Sequence, residues 1–157
     1  MAEALGLCLN KRNAGVSQYC GFNFNSMCEF NGEYIGASED GIYKLSGDTD
    51  DGVDIDAYFE LAHSDLGHSG YKRVRKLQFS YESKDDLTVY IFYDEDRRGP
   101  LTLTMTTYDR QARGEVYGER RWEGVHLGLR VENTNGCYFA VNKITGTLIN
   151  LGRRKNR

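Results

Sequence analysis

Proline is nearly absent: Pro100 is the single one among 157 residues. Chain reversals therefore fall to glycine, of which there are 18, because glycine supplies the positive backbone angles that tight hairpin turns demand. Long apolar runs are missing as well. None approaches the roughly 20 residues that a membrane-spanning helix requires, and the apolar start at residues 1–9 is too short for one. Apolar residues recur at helical spacing for no more than about two turns, so any helix is short. No charged-then-apolar export segment opens the chain, and Cys8, Cys20, Cys28 and Cys137 are irregularly spaced, which predicts free thiols in a reducing cytoplasm. An overall basic balance is also lacking. The net charge of −3 divides between an acidic stretch at 39–60 and basic segments at 72–76 and 153–157, a pattern that suits protein neighbours better than a specific nucleic acid.

Aromatic residues are plentiful instead. The 11 Tyr and 7 Phe offer large flat surfaces that suit sheet faces. Residues 5–9 and 16–19 flank the polar stretch 10–15, and 27–30 and 33–36 are separated by Asn31-Gly32, the pair best suited to a two-residue type I′ turn. Asp40-Gly41 opens a strand at 42–45, and over 54–62 the order places Ile55, Ala57, Phe59 and Leu61 on one face. Segments 76–81 and 87–93 predict a long hairpin around the charged loop 82–86. A charged loop at 94–100 then precedes a strand at 101–108, and 109–124, with no apolar stripe, predicts a long exposed loop. Segments 125–132 and 137–141 enclose the turn Asn133-Thr134-Asn135-Gly136, and 147–151 supplies a last strand. The series predicts an all-β fold: one antiparallel β-sandwich domain of hairpins over 1–157, with long charged loops and little or no helix. Within it, 1–46 forms an N-terminal pair of hairpins and 152–157 a basic tail.

Candidate chemistry is sparse. Asp48, Asp50, Asp51, Asp54 and Asp56 crowd one segment, and Asp48, Asp50 and Asp54 are its calcium candidates. The glycine that an EF-hand needs at the sixth position falls at the fifth, Gly52, so a solvated turn is the expectation. His63 and His68 with Cys20 and Cys28 offer zinc-type donors at spacings foreign to zinc fingers. No Gly-x-Ser-x-Gly element and no glycine-rich loop before a helix occurs. Glu82 and Asp85 are the nearest approach to an acid–base pair, which leaves a glycoside hydrolase as the enzymatic alternative. Neither a catalytic residue nor a cofactor is expected.

The most prominent contact surface is Lys72-Arg73-Val74-Arg75-Lys76, four charges around one apolar residue at a strand entrance. Such a run either solvates a sheet edge or meets an acidic neighbour, and here the neighbour's 48–56 segment would serve. Arg113, Arg120 and Arg121, with Arg153 and Arg154 of the terminus, extend the same candidate interface. Tyr108, Tyr117 and Trp122 would instead stack on sugar rings in a carbohydrate-binding β-sandwich module for host-surface recognition.

A set of short motifs follows in sequence: Phe24-Asn25-Ser26-Met27, Phe30-Asn31-Gly32, Tyr34-Ile35-Gly36-Ala37-Ser38, Asp40-Gly41-Ile42-Tyr43 and Gly47-Asp48-Thr49-Asp50-Asp51-Gly52. With Ile55-Asp56-Ala57, Lys72-Arg73-Val74 and Leu151-Gly152-Arg153-Arg154, the run spans most of the chain and resembles a family of bacteriophage tail and virion structural proteins. Segment 109–124 departs from that pattern. The resemblance implies a non-enzymatic tail protein of the tip, hub or collar, made in the host cytoplasm and resident in the virion. Its partners would be other virion proteins and copies of itself in a symmetric ring, with no membrane and no specific nucleic acid.

Overall fold

A computed structural model of the protein describes residues 5–47, 49–50, 52–105 and 111–152, and every regular element in them is a β-strand. The chain divides into two compact units, Met1–Gly47 and Asp48–Arg157. The two-sheet body lies in the second unit, and the N-terminal hairpins, expected over 1–46, form the first.

In the first unit, β1 (Leu5–Leu9) pairs with β2 (Val16–Cys20), while β3 (Ser26–Phe30), β4 (Glu33–Ala37) and β5 (Ile42–Lys44) form an antiparallel three-stranded sheet. Both residues of the Asn31-Gly32 turn have positive φ, 51° and 79°, as a type I′ turn requires. A row of aromatic rings joins the pieces: Tyr19 to Phe22, Phe22 to Phe24 and Phe24 to Tyr43, with centroids 5.6, 4.8 and 5.9 Å apart. Phe22 lies over Gly6 and Phe24 over Gly36, each so close that a Cβ on the glycine would stand 2.6 Å from the ring. These two glycines let the aromatic row seat against the strands.

In the second unit, β6 (Thr49–Asp50) and β7 (Val53–Asp54) make a minimal hairpin before β8 (Tyr58–Ser64). Next come β9 (Tyr71–Ser83), β10 (Leu87–Tyr93), β11 (Asp96–Leu103), β12 (Ala112–Tyr117), β13 (Leu127–Glu132) and β14 (Phe139–Gly152). One sheet has the order β11-β10-β13-β8 and the other β12-β9-β14. Their inward faces share one core, with Leu87, Val89, Ile91, Tyr93 and Val131 from the first sheet and Val74, Leu77, Phe79 and Tyr81 from the second. Contacts cross between the sheets. The Tyr93 hydroxyl accepts the Val74 amide at 3.1 Å, and the Phe59 and Phe139 rings stack at 6.2 Å.

The long hairpin expected from 76–81 and 87–93 is not formed: β9 and β10 belong to different sheets. Each carries a buried face toward the same core, so the connection crosses from sheet to sheet. The Ser83 hydroxyl, donating to the Asp85 carbonyl at 2.7 Å, braces that crossing. Likewise β13 and β14 do not pair with each other, and the two strands expected at 137–141 and 147–151 are one long β14 against β9. The expected strand over 54–62 is interrupted, because Asn133 holds the backbone there. It accepts the Ala57 amide at 2.8 Å and donates to the Ile55 carbonyl at 2.9 Å. Leu61, expected on one face with Phe59, is 47% exposed on β8, an edge strand.

Two expected loops are also corrected. Most of 94–100 is strand β11, which turns back on β10 through Asp94 and Glu95. The segment 109–124 contains β12, whose inward residues Ala112, Gly114 and Val116 are too small to make a visible apolar stripe. Gly114 is in fact required to be small, because a Cβ there would stand 2.4 Å from Leu103 of the facing sheet. Part of the strand expected at 101–108 lies outside the described residues.

Candidate functional site

The outer face of the β12-β9-β14 sheet carries the basic residues. Along β9 buried and outward side chains alternate, except that Arg75 and Lys76 both escape burial. β14 pairs Leu148 with Val74 and Thr147 with Lys76, which leaves Arg75 as the extra residue of a β-bulge. β12 brings Tyr117 opposite Lys76, and the chain after β12 returns Arg120 to Arg73, whose Nη1 donates to the Arg120 carbonyl at 2.8 Å. Arg73, Arg75, Arg120, Tyr117, Gly118 and Ile149 line a shallow cleft of about 350 Å³. A second hollow of similar size shares Arg75 and Tyr117 with it and adds Lys76 and Thr147.

Three arginine residues thus line one cleft, and among the described residues none of the ion pairs involves Arg73, Arg75 or Arg120. A nearby carboxylate, Glu115, is engaged otherwise. It accepts hydrogen bonds from the Tyr117 hydroxyl at 2.7 Å, Gln78 Nε2 at 2.6 Å and Lys76 Nζ at 3.0 Å. Those bonds, the one from Tyr117 foremost, hold its carboxyl down at about 2, and the same carboxylate pushes the Tyr117 hydroxyl up. Because the folded value is depressed, the contribution of Glu115 to stability is complete above its ordinary value of 4.5 and is lost as pH falls toward 2. In a carboxyl-carbon NMR titration Glu115 is expected to turn over near pH 2, and Tyr117→Phe to move it upward. A wild-type midpoint at 4.5 would show that Tyr117 is not held in place.

The other sequence candidates distribute as follows. Lys72 is not a contact residue: only 3% of it is exposed, and its ammonium donates to the His68 carbonyl at 2.7 Å and to the Val125 carbonyl. Its side chain faces the core side of β9 because it alternates with Arg73. Lys76 is largely neutralised by Glu115. Arg113 is exposed on β12 opposite Ser80 of the same sheet, and Arg121 is exposed beyond β12. Arg153 and Arg154 lie outside the described residues, as do Tyr108, Asp48 and Asp51. Trp122 is half-buried and packs on the core, whereas Tyr117 is 60% exposed. Asp50 and Asp54 are exposed on the β6–β7 hairpin, and among the described residues no three His, Cys, Asp or Glu side chains converge as a metal site would need. Sequence reasoning missed Glu115, Gly118 and Ile149. The break in alternation at Arg75-Lys76 was the available signal for a bulge, but nothing in the sequence linked it to β12 or β14.

Comparison of the chain with protein-family models, with curated proteins and with solved structures finds no match.

Proposed function

We propose that the protein is a non-enzymatic structural subunit of a bacteriophage virion, a tail component that works by binding neighbouring virion proteins and further copies of itself. The observation that carries this reading is the cleft in which Arg73, Arg75 and Arg120 meet beside exposed Tyr117, with no carboxylate of the described chain paired to the guanidinium groups. Arginine and tyrosine are the residues that anchor protein interfaces, and an unneutralised arginine cluster favours an acidic partner surface. The chain has a surface of that kind: Asp50, Asp54 and Asp56 are exposed on and after the β6–β7 hairpin. A contact between that hairpin of one copy and the arginine cleft of the next is head-to-tail, and such contacts close into a ring when the rotation permits. The tail and virion part of the reading is supported by the motif resemblance of the sequence.

Charge reversal tests the cleft. The double variant Arg73→Glu, Arg75→Glu is expected to weaken association by about tenfold or more in sedimentation velocity at low salt, and salt should weaken the wild type in the same way. Unchanged association would remove the cleft as a contact. Mass spectrometry of purified virions tests the location, and absence of the chain from them would overturn it.

A further inference from the structure

One end of the outer β12-β9-β14 face gathers more positive charge than its surroundings neutralise. Arg73 and Arg75 of β9 and Arg120 from the turn after β12 line one hollow of about 350 Å³, and none of the three enters an ion pair among the described residues. Glu115, Glu119 and Glu123 flank it in sequence, yet none of them lines it. Two features of the backbone set this arrangement. The bulge adds Arg75 between Val74 and Lys76, so β9 turns two consecutive basic side chains away from the core. Gly118 lets the end of β12 close on β9, with no room for a Cβ before the Val74 carbonyl oxygen at 2.4 Å, and Arg73 Nη1 then reaches the Arg120 carbonyl at 2.8 Å.

Like charges gathered by the fold favour an anion among them. A guanidinium is a planar fork that matches a pair of phosphate or carboxylate oxygens. A tetrahedral dianion offers oxygens to several forks at once and carries two charges, whereas a carboxylate has two oxygens and one charge. At about 30 Å³ for each water-sized group, the hollow has room for a phosphate group and its hydration. The adjoining hollow shares Arg75 and Tyr117 and continues to Lys76 and Thr147, so a molecule that carries the anion has a way out past Tyr117.

We propose that this cleft is an oxyanion site for a phosphate-class dianion, and that a dianion seated there keeps out the acidic hairpin of a neighbouring copy. The exclusion of the hairpin rests on the reading of the cleft as a contact between copies; the seating of the anion does not.

The test is an amide NMR titration of the full chain with sodium phosphate, at a pH where the ion is a dianion, against NaCl at equal ionic strength. Shifts should centre on Arg75, Tyr117, Gly118 and Arg120 and saturate with phosphate but not with chloride. Arg75→Gln combined with Arg120→Gln should weaken phosphate binding by about tenfold or more, while Arg113→Gln, on the same sheet face but outside the cleft, should leave it unchanged. Shifts no larger than those in NaCl, shifts spread equally over Arg113 and the cleft, or a double variant that binds as tightly as the wild type would each overturn the site. Short-chain polyphosphate separates the sources of the ligand chemistry: tighter binding than phosphate, with shifts reaching Lys76 and Thr147, supports a site for phosphate carried on a polymer, and equal binding supports a site for the free ion. Sedimentation velocity at matched ionic strength of about 0.1 M tests the exclusion. Phosphate should dissociate copies that NaCl leaves together, and association that both salts weaken equally overturns it. A chain that is monomeric in NaCl yet binds phosphate removes the contact between copies, and the exclusion with it, and upholds the oxyanion site.

Discussion

Truncating Phe79 to alanine is expected to destabilise the second unit by about 3–5 kcal/mol, which for a unit of this size lowers its melting temperature by roughly 12–20 °C in calorimetry. Phe79 is 2% exposed and stands between Leu77 and Tyr81 on the inward side of β9. β9 is the middle strand of its sheet, paired on both sides, so its backbone has little freedom to move into the space that the ring leaves. The cost is therefore a transfer loss plus a cavity that stays open. Leu61→Ala serves as the control: Leu61 is 47% exposed on an edge strand, and its truncation should cost less than about 1 kcal/mol. Equal losses at the two positions would show that the core does not lie between these sheets.

Gly118→Ala should be the most damaging single-methyl change at the candidate site, costing about 2 kcal/mol or more. A Cβ at Gly118 would stand 2.4 Å from the Val74 carbonyl oxygen. That oxygen is backbone, in a strand held by two neighbours, and the Val74 amide is itself bonded to the buried Tyr93 hydroxyl. No side chain can swing away to make room, so β12 has to pull back from β9, carrying Tyr117 and Arg120 with it. Loss of self-association at low salt should accompany the loss of stability. Gly146→Ala is the contrast, since its Cβ would meet only the Leu77 methyl at 3.3 Å, the movable end of a side chain. If Gly118→Ala melts like the wild type, the close approach of β12 to β9 is wrong.

How much of this was legible beforehand depends on how local the determinant is. Asn31-Gly32 announces its turn because two positive φ angles are demanded within one dipeptide, and the N-terminal strands were placed to within a residue or so for the same reason. At the candidate site, Arg73, Arg75 and Arg120 were named from the sequence, yet the same run suggested Lys72, which alternation turns inward to the His68 and Val125 carbonyls. A charge run shows how much charge is present but not which side of the strand each residue takes. A bulge at Arg75 reverses that assignment partway along β9.

The sequence by itself determined the all-β character, the Asn31-Gly32 turn and the abundance of apolar side chains in residues 5–45, because each depends on backbone preferences and periodicity that act over a few residues. Only the tertiary structure decided that β9 and β10 lie in different sheets, that β12 is a strand at all, and that Arg120 comes back to Arg73. Strand partners are chosen by burial of a shared core between residues far apart in the chain, and β12, with Ala112, Gly114 and Val116 as its inward set, contributes shape to that core more than hydrophobic signal.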